Sequence, residues 1–246
     1  MSYADIYFQK IGDILAAVYR EERKKIRAAA ELIADCAEKG GNLFIFGCTH
    51  AGILSQEAFY RSGGLALFNP IFFPGMSAQV MPITLTSQME RQEPLGRLLV
   101  EQSRLKKGDL LFIHSVSGRN PVPVEVALHA ENMGVTTVCI TSLEYSKSVS
   151  ARHSGGKRLF EVCSLVLDNH CPAGDAVVED AVLGQNIAPA STVAGAAILN
   201  AIVAESAQVF EERGMRPPFL LSANRDGGEE HNRAVMQQYK DRIFYL

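Results

Sequence analysis

The sequence lacks an excess of basic residues, a long apolar run and a paired cysteine motif. Its 246 residues include 24 basic and 27 acidic side chains, for a formal charge of −3, so a basic field that could hold nucleic acid is not expected. No apolar run approaches the roughly 18 residues of a membrane span. The amino terminus also lacks the basic-then-apolar layout of a secretory signal. These absences predict a cytoplasmic protein without nucleic-acid or membrane partners.

Cysteine usage excludes a further class of protein. The five cysteines form no C-x-x-C pair and are odd in number. Three of them, Cys48, Cys139 and Cys163, lie in or beside apolar stretches. This pattern is typical of reduced, partly buried thiols and not of a zinc cluster. We therefore expect no zinc cluster. No other metal and no organic cofactor are predicted.

The sequence contains enough apolar residues for a hydrophobic core, since they make up 47% of the chain. Short continuous apolar runs alternate with stretches of helical spacing. Strands are predicted at 43–46, 65–68, 109–114, 136–141 and 164–168, and helices at 2–39, 51–61, 95–105, 121–132 and 191–211. This alternation predicts an α/β fold, a doubly wound parallel five-stranded sheet flanked by helices.

The remaining segments are predicted from their turn chemistry and charge. Residues 1–213 are assigned to the sheet domain, and the charged stretch 20–25 predicts a bend or an exposed turn in its long N-terminal helix. Residues 69–91 and 169–189 show little period, and the first of these is interpreted as loop with short pieces of structure. Residues 214–246 combine turn residues with a polar helix candidate at 229–242. We expect this C-terminal arm to pack on the domain or on a partner subunit.

Three loops are predicted at the ligand-binding edge, because open parallel sheets bind ligands beyond the carboxyl ends of their strands. The first loop follows the first strand and is rich in small residues that let a backbone approach an anion. Its candidate contacts are Cys48, Thr49, Ala51 and Gly52. An ordinary tight strand-to-helix turn explains the same residues equally well.

The second loop carries more polar groups than a turn requires. It combines Ser115, Ser117, Gly118, Arg119 and Asn120 between a strand and a helix start. Hydroxyls and backbone N–H groups can surround a phosphate without full charge. A helix cap needs only one such side chain, so we favour anion binding here.

The third loop is the pair Ser191 and Thr192, which opens the long helix after the sheet. A helix cap is an alternative for this pair. The order and spacing of the three loops resemble the sugar isomerase (SIS) domain. That family includes phosphoheptose isomerases, glucosamine-6-phosphate synthase and N-acetylmuramic acid 6-phosphate etherases. Over the whole chain the sequence resembles the bacterial UPF0309 group of SIS proteins.

The resemblance implies a phosphosugar-binding protein that assembles as a homodimer or homotetramer. Its substrate is expected to be a phosphorylated sugar or amino sugar. Two departures concern the loops, where Asn120 and Ala51 replace the hydroxylic residues common in the family. A third departure concerns metal binding, because the helix positions at which phosphoheptose isomerases carry a His and a Glu hold Glu57 and Arg61 here.

Candidate acid–base residues follow from the loops and from the resemblance. Glu57 and His50 belong to the first loop and its helix, and His170 follows the fifth strand. Further candidates are Asp175, Glu179, Asp180 and, from a neighbouring subunit, His231. The leading hypothesis is an aldose–ketose sugar-phosphate isomerase, for which proton transfer between adjacent carbons needs such groups. Alternatives are a lyase resembling the etherases, suggested by the run from Ser117 to Pro121, and a non-catalytic phosphosugar sensor.

Overall fold

The computed structural model describes residues 1–246 and contains the predicted five-stranded parallel sheet. Its strands are β1 Leu43–Gly47, β2 Phe68–Pro70, β3 Leu110–His114, β4 Thr136–Thr141 and β5 Leu165–Asp168. They lie in the order β2-β1-β3-β4-β5, and every neighbouring pair is parallel. All five carboxyl ends therefore meet at one edge of the sheet.

The chain forms eight α-helices, of which the last lies in the C-terminal arm. They are α1 Tyr3–Glu38, α2 Ile53–Ala58, α3 Thr84–Met89, α4 Glu93–Gln102, α5 Pro121–Asn132, α6 Leu143–Ser148, α7 Ser191–Glu212 and α8 Gly228–Gln238. Successive strand residues point to opposite faces. Leu43 and Ile45 of β1 accordingly pack in one apolar cluster with α1 and α7. Phe44 and Phe46 pack in another cluster with α4 and α5. The sheet is thus covered on both faces, as predicted.

The predicted bend at residues 20–25 is wrong, because α1 is a continuous helix of 36 residues. Ser2 begins it with a reciprocal capping box to Asp5. Within the charged stretch Glu22 is buried, accepts the N–H of Asp168 and pairs with Lys25. The charged residues therefore do not interrupt the helix. One of them, Glu22, connects the helix to β5 of the sheet.

Helix α7 is long and apolar enough to cross a membrane by length and composition, and half of its most apolar stretch is buried. It packs along α1 through Ile198, Ile202 and Phe210, which belong to the larger core cluster. Length and composition alone do not distinguish a buried core helix of this kind from a membrane span.

Some elements differ from the sequence predictions, and helix α6 was not predicted. The second strand begins at Phe68 and not at Leu65, because Leu65 forms an antiparallel bridge with Phe219 of the C-terminal arm. The segment 169–189 contains a hairpin of β6 Ala176–Asp180 and β7 Gln185–Pro189 that the sequence analysis did not predict.

The C-terminal arm lies against the domain of its own chain. Phe244 N–H donates to Asn69 Oδ1 (2.6 Å), and the Tyr245 hydroxyl donates to Ala66 O (2.8 Å). Leu220, Val235 and Ile243 are buried with Ala66 in a small separate cluster. All five cysteines are free thiols, and four of them are buried.

Candidate functional site

The loop after β3, residues 115–120 and hereafter the serine loop, presents unused hydrogen-bond donors. None of the five amide N–H groups of residues 116–120 donates to an acceptor within the protein, whereas the carbonyls of Val116, Gly118 and Arg119 accept bonds from other loops. Gly118 has a φ of +57°, a conformation that glycine adopts without strain. Successive free amides in such a turn form an anion-binding concavity.

The hydroxyls of Ser115 and Ser117 are also without a hydrogen-bond partner in the protein, although Ser115 is buried. The side chain of Asn120 is used differently, because its Oδ1 accepts from Arg152 Nη1 at 2.8 Å. The serine loop therefore offers backbone amides and two hydroxyls to a ligand, while Asn120 joins it to the segment carrying Arg152.

The loop after β1 is a tight turn. A Cβ on Gly47 would lie 2.5 Å from Ala51 O, and one on Gly52 would lie 3.0 Å from Gly47 O, so both positions require glycine. Thr49 donates its N–H to Met76 O (2.8 Å) and has a φ of +54°. The side chain of Thr49 makes no bond within the protein, and His50 is exposed beside it.

Cys48 lies beneath this turn. It is buried with its thiol 3.5 Å from Met76 Sδ, and burial raises the pKa of that thiol well above its ordinary value. The Cys48 side chain therefore belongs to the core, and only its backbone remains available to a ligand.

His114, the last residue of β3, connects the three predicted loops. Its Nδ1 donates to Ala51 O at 3.1 Å, and its Nε2 is buried without a partner. A Cβ on Gly195, in the first turns of α7, would lie 3.2 Å from that Nε2. Burial lowers the pKa of His114 to about 4, so the ring is neutral at physiological pH.

The start of α7 is held by Asp175. One carboxylate oxygen accepts the N–H of Ser191 (2.7 Å), and the other accepts its hydroxyl (2.7 Å). Both Asp175 and Ser191 are thereby used in capping the helix. Thr192 follows them, half-buried and with no side-chain bond in the protein. Of this pair, Thr192 is the side chain that remains free for a ligand.

The other predicted acid–base residues lie in separate places. Glu57 of α2 pairs with Arg61, which follows that helix, and accepts from Asn200 of α7 (2.9 Å). His170 lies within 3.8 Å of both Glu22 of α1 and Asp168. Asp180 caps the turn of the hairpin, and Glu179 is exposed beside it. His231 donates from Nε2 to Phe219 O (2.9 Å) within the arm of the same chain.

Glu90 is a half-buried carboxylate that the sequence analysis did not single out. It ends α3, and its carbonyl accepts the N–H of Val122 in the first turn of α5 (3.2 Å). Burial raises the pKa of its carboxyl, opposed by a hydrogen bond from Asn120 and by the charges of Arg152 and Arg91. Its position in a stretch without periodicity gave no signal in the sequence.

Two arrangements bear on metal binding. Arg61 cannot be a ligand and its ion pair occupies Glu57, so the helix positions used by phosphoheptose isomerases do not fit a metal here. Glu93, Glu125 and His153 also lie together. His153 Nδ1 accepts the N–H of Gly155 (3.1 Å), which places the ring proton on Nε2, 3.0 Å from Glu125. That group is a hydrogen-bonded cluster in this tautomer.

A cavity of about 470 Å³ opens on the other side of the first loop. Gly47, Thr49 and Gly52 form one wall, and Phe59 and Phe73 form part of the apolar wall. No residue of the serine loop lines it. Of the three predicted ligand loops, the cavity therefore adjoins only the first.

Comparisons with known proteins agree with this architecture. The family model of the SIS domain matches residues 6–142. The chain belongs to the SIS domain family. A UPF0309 protein from Shouchella clausii is 47% identical over 246 residues and covers 100% of both chains. One from Oceanobacillus iheyensis is 46% identical over the same length, with the same coverage.

Solved structures extend the likeness of the fold at low sequence identity. A phosphoheptose isomerase from Francisella tularensis superposes with a TM-score of 0.56 at 15% identity, covering 85% of this chain and all of that one. These similarities confirm the predicted SIS fold.

Proposed function

We propose that the serine loop binds the phosphate of a sugar phosphate and that the protein is a sugar-phosphate isomerase. The observation that carries the proposal is the run of five amide N–H groups, residues 116–120, with no acceptor in the protein. Buried backbone donors are nearly always paired, with protein groups or with ordered water, and Gly118 among these residues is buried. A phosphate would supply acceptors for these amides and for the free hydroxyls of Ser115 and Ser117.

Isomerisation further requires a group that moves a proton between adjacent carbons. Glu90 suits this role because burial raises the pKa of its carboxyl above the ordinary value, which makes the carboxylate a stronger base. It also adjoins Asn120 of the serine loop. His50 is exposed in the neighbouring loop and can serve as the acid that opens the ring. Glu57 and His170 have ionic neighbours outside the serine loop.

The proposal includes assembly as a homodimer or homotetramer in the cytoplasm. Its support is the SIS family, whose phosphosugar sites are generally built at subunit interfaces. His231, the residue predicted to reach a neighbouring subunit, is bonded within its own arm. The proposal therefore gives it no role in a neighbouring site.

The lyase alternative has one specific observation in its favour, the run Ser117 to Pro121, which resembles the S-G-R-T-P of the etherases. It predicts release of lactate from N-acetylmuramic acid 6-phosphate, which isomerisation does not produce. A non-catalytic sensor predicts tight binding without turnover.

A panel of aldose and ketose phosphates, assayed for interconversion, tests the activity. We expect turnover of at least one member and its loss in Glu90→Gln with binding retained. Absence of turnover throughout the panel would contradict the isomerase assignment. Binding without turnover would favour the sensor.

Substitution of Ser117 tests the phosphate site separately. One hydrogen bond to a charged group contributes about 1.5–3 kcal/mol, so Ser117→Ala is expected to weaken sugar-phosphate binding at least about tenfold by titration calorimetry. Its thermal midpoint should stay near that of the wild type, because the hydroxyl has no partner to lose. Ser62→Ala, which removes an exposed and unbonded hydroxyl after α2, is the matched control. Unchanged affinity in Ser117→Ala would overturn the phosphate site.

A further inference from the structure

Three arginines lie together at the outer end of the serine loop. Arg119 Nη2 donates to Ser150 Oγ (3.1 Å), and Arg152 Nη1 donates to Asn120 Oδ1 (2.8 Å). The backbone joins the same segments, since the N–H of Arg152 donates to Arg119 O (2.9 Å). Arg91 is close enough to Arg152 for their charges to interact. We call Arg91, Arg119 and Arg152 the arginine cluster.

The arginine cluster has little opposing charge. None of its members forms a salt bridge, whereas Arg27 on α1 pairs with three glutamates. The one carboxylate that interacts with the cluster is Glu90. Three guanidinium groups against one carboxylate leave an excess of two positive charges, in a chain whose formal net charge is −3.

Two further observations show that this excess is costly. Arg119 Nε is buried without a hydrogen-bond partner, and a buried charged donor left unpaired destabilises the folded state. Burial and the repulsion of Arg119 and Arg91 lower the pKa of Arg152. An anion between these guanidinium groups would remove both penalties.

We infer that the arginine cluster binds a second anionic group of the substrate, so that the substrate is a sugar phosphate carrying an additional carboxylate or phosphate. This inference rests on the proposed phosphosugar function. The serine loop supplies five amides and two hydroxyls for the first phosphate, which is enough donors for one such group. The guanidinium groups of Arg119 and Arg152 bond instead to Ser150 outside the loop and to the side chain of Asn120, its last residue.

Calorimetric titration of the full chain with three probes tests the inference. Glucose 6-phosphate carries one anionic group, 6-phosphogluconate adds a carboxylate, and fructose 1,6-bisphosphate adds a second phosphate. We expect at least one of the two doubly anionic probes to bind ten times more tightly than glucose 6-phosphate at low salt. The probe that shows the gain identifies the second group as carboxylate or phosphate.

The variants Arg91→Ala and Arg152→Ala should remove most of that gain and change the affinity for glucose 6-phosphate threefold at most. Arg216→Ala, an exposed arginine after α7, is the matched control and should retain the gain. Thermal midpoints establish that each variant is folded, and the two single variants are independent of one another.

Equal affinities for all three probes, with binding still sensitive to Ser117→Ala, would overturn this inference and leave the proposed function standing. An equal loss for glucose 6-phosphate and the tighter probe in both arginine variants would also overturn it. If no probe binds at all, the proposed function fails and this inference fails with it.

Discussion

His114 shows how one buried residue can connect the loops of a candidate site. It follows four apolar strand residues and precedes Ser115, yet its ring bonds to the first loop and abuts Gly195 of α7. A single histidine that ends a buried strand was a usable signal, because a polar side chain there needs a partner. The neighbouring loops carry more polar residues, and His114 was not predicted as part of the site.

The buried state of His114 predicts a pH dependence of stability. Its pKa is lowered to about 4 in the folded protein from 6.5. The unfolded chain therefore binds a proton before the folded one does, and stability is lost as pH falls below about 6.5. Between pH 7 and pH 5 this group alone should lower the free energy of unfolding by about 2 kcal/mol.

Urea denaturation at both pH values measures this loss, and His114→Gln serves as the comparison because glutamine keeps a donor for Ala51 O. The pH-dependent loss should be smaller in the variant by roughly that amount. A ring that titrates near 6.5 in NMR spectra would contradict the prediction.

The other predicted site residues form two groups. Some have side chains that are free in the protein, and others have side chains that are already hydrogen-bonded. Ser115 and Ser117 were predicted from their clustering, and both hydroxyls are free. Ser191 and Asp175 were predicted as ligand residues, whereas the structure shows them bonded to each other. Sequence spacing places such polar side chains at the carboxyl edge of the sheet. It does not show which of them are already hydrogen-bonded as helix caps.

At the scale of elements, the sequence predicted best where local signals agree. Proline in its first turn and Gly134 beyond its end define α5, and its observed bounds are those predicted, Pro121–Asn132. The hairpin of β6 and β7 was missed because neither strand has a full apolar run or a regular alternation, and β7 has no fully buried residue. Their partial burial comes from packing against α1, which no local pattern displays.

The contact between α2, α7 and His114 depends on a helical glycine. A Cβ on Gly195 would lie 2.9 Å from Leu54 Cδ2 and 3.2 Å from His114 Nε2. Gly195→Ala should therefore lower the free energy of unfolding by about 1–3 kcal/mol through overpacking, as measured by urea denaturation.

Gly12 of α1 is the matched position, because a Cβ there meets nothing within 4 Å. Gly12→Ala should raise the free energy of unfolding by about 0.5–1 kcal/mol, since alanine favours the helix. Stabilisation by both substitutions would show that the close packing around Gly195 is not present in solution.

At the scale of the whole molecule, the arm packs beside β2, the edge strand of the sheet. The sequence left open whether it packs on its own domain or on a partner. The structure shows bonds of Phe244 and Tyr245 to Asn69 and Ala66, and Arg104 stacks on the ring of Phe244 (4.8 Å). Contacts so distant along the chain follow from tertiary packing and have no signature in sequence.

Removal of residues 243–246 should accordingly destabilise the domain itself. The loss of buried Ile243 and of the packing of Phe244 and Tyr245 should cost about 3–5 kcal/mol, measured as a lower free energy of unfolding at any protein concentration. Removal of Leu246 alone, which is 70% exposed, is the control and should have little effect. Equal stability of the two truncated chains would show that the arm does not support its own domain.

The central claim is that the serine loop holds the phosphate of the substrate through its backbone. Amide chemical shifts of ¹⁵N-labelled protein during a titration with glucose 6-phosphate test it most directly, with glucose as the uncharged control. The amide signals of residues 116–120 should move downfield together on addition of the sugar phosphate and not of glucose. Binding that leaves these five signals in place, while signals elsewhere move, would contradict it.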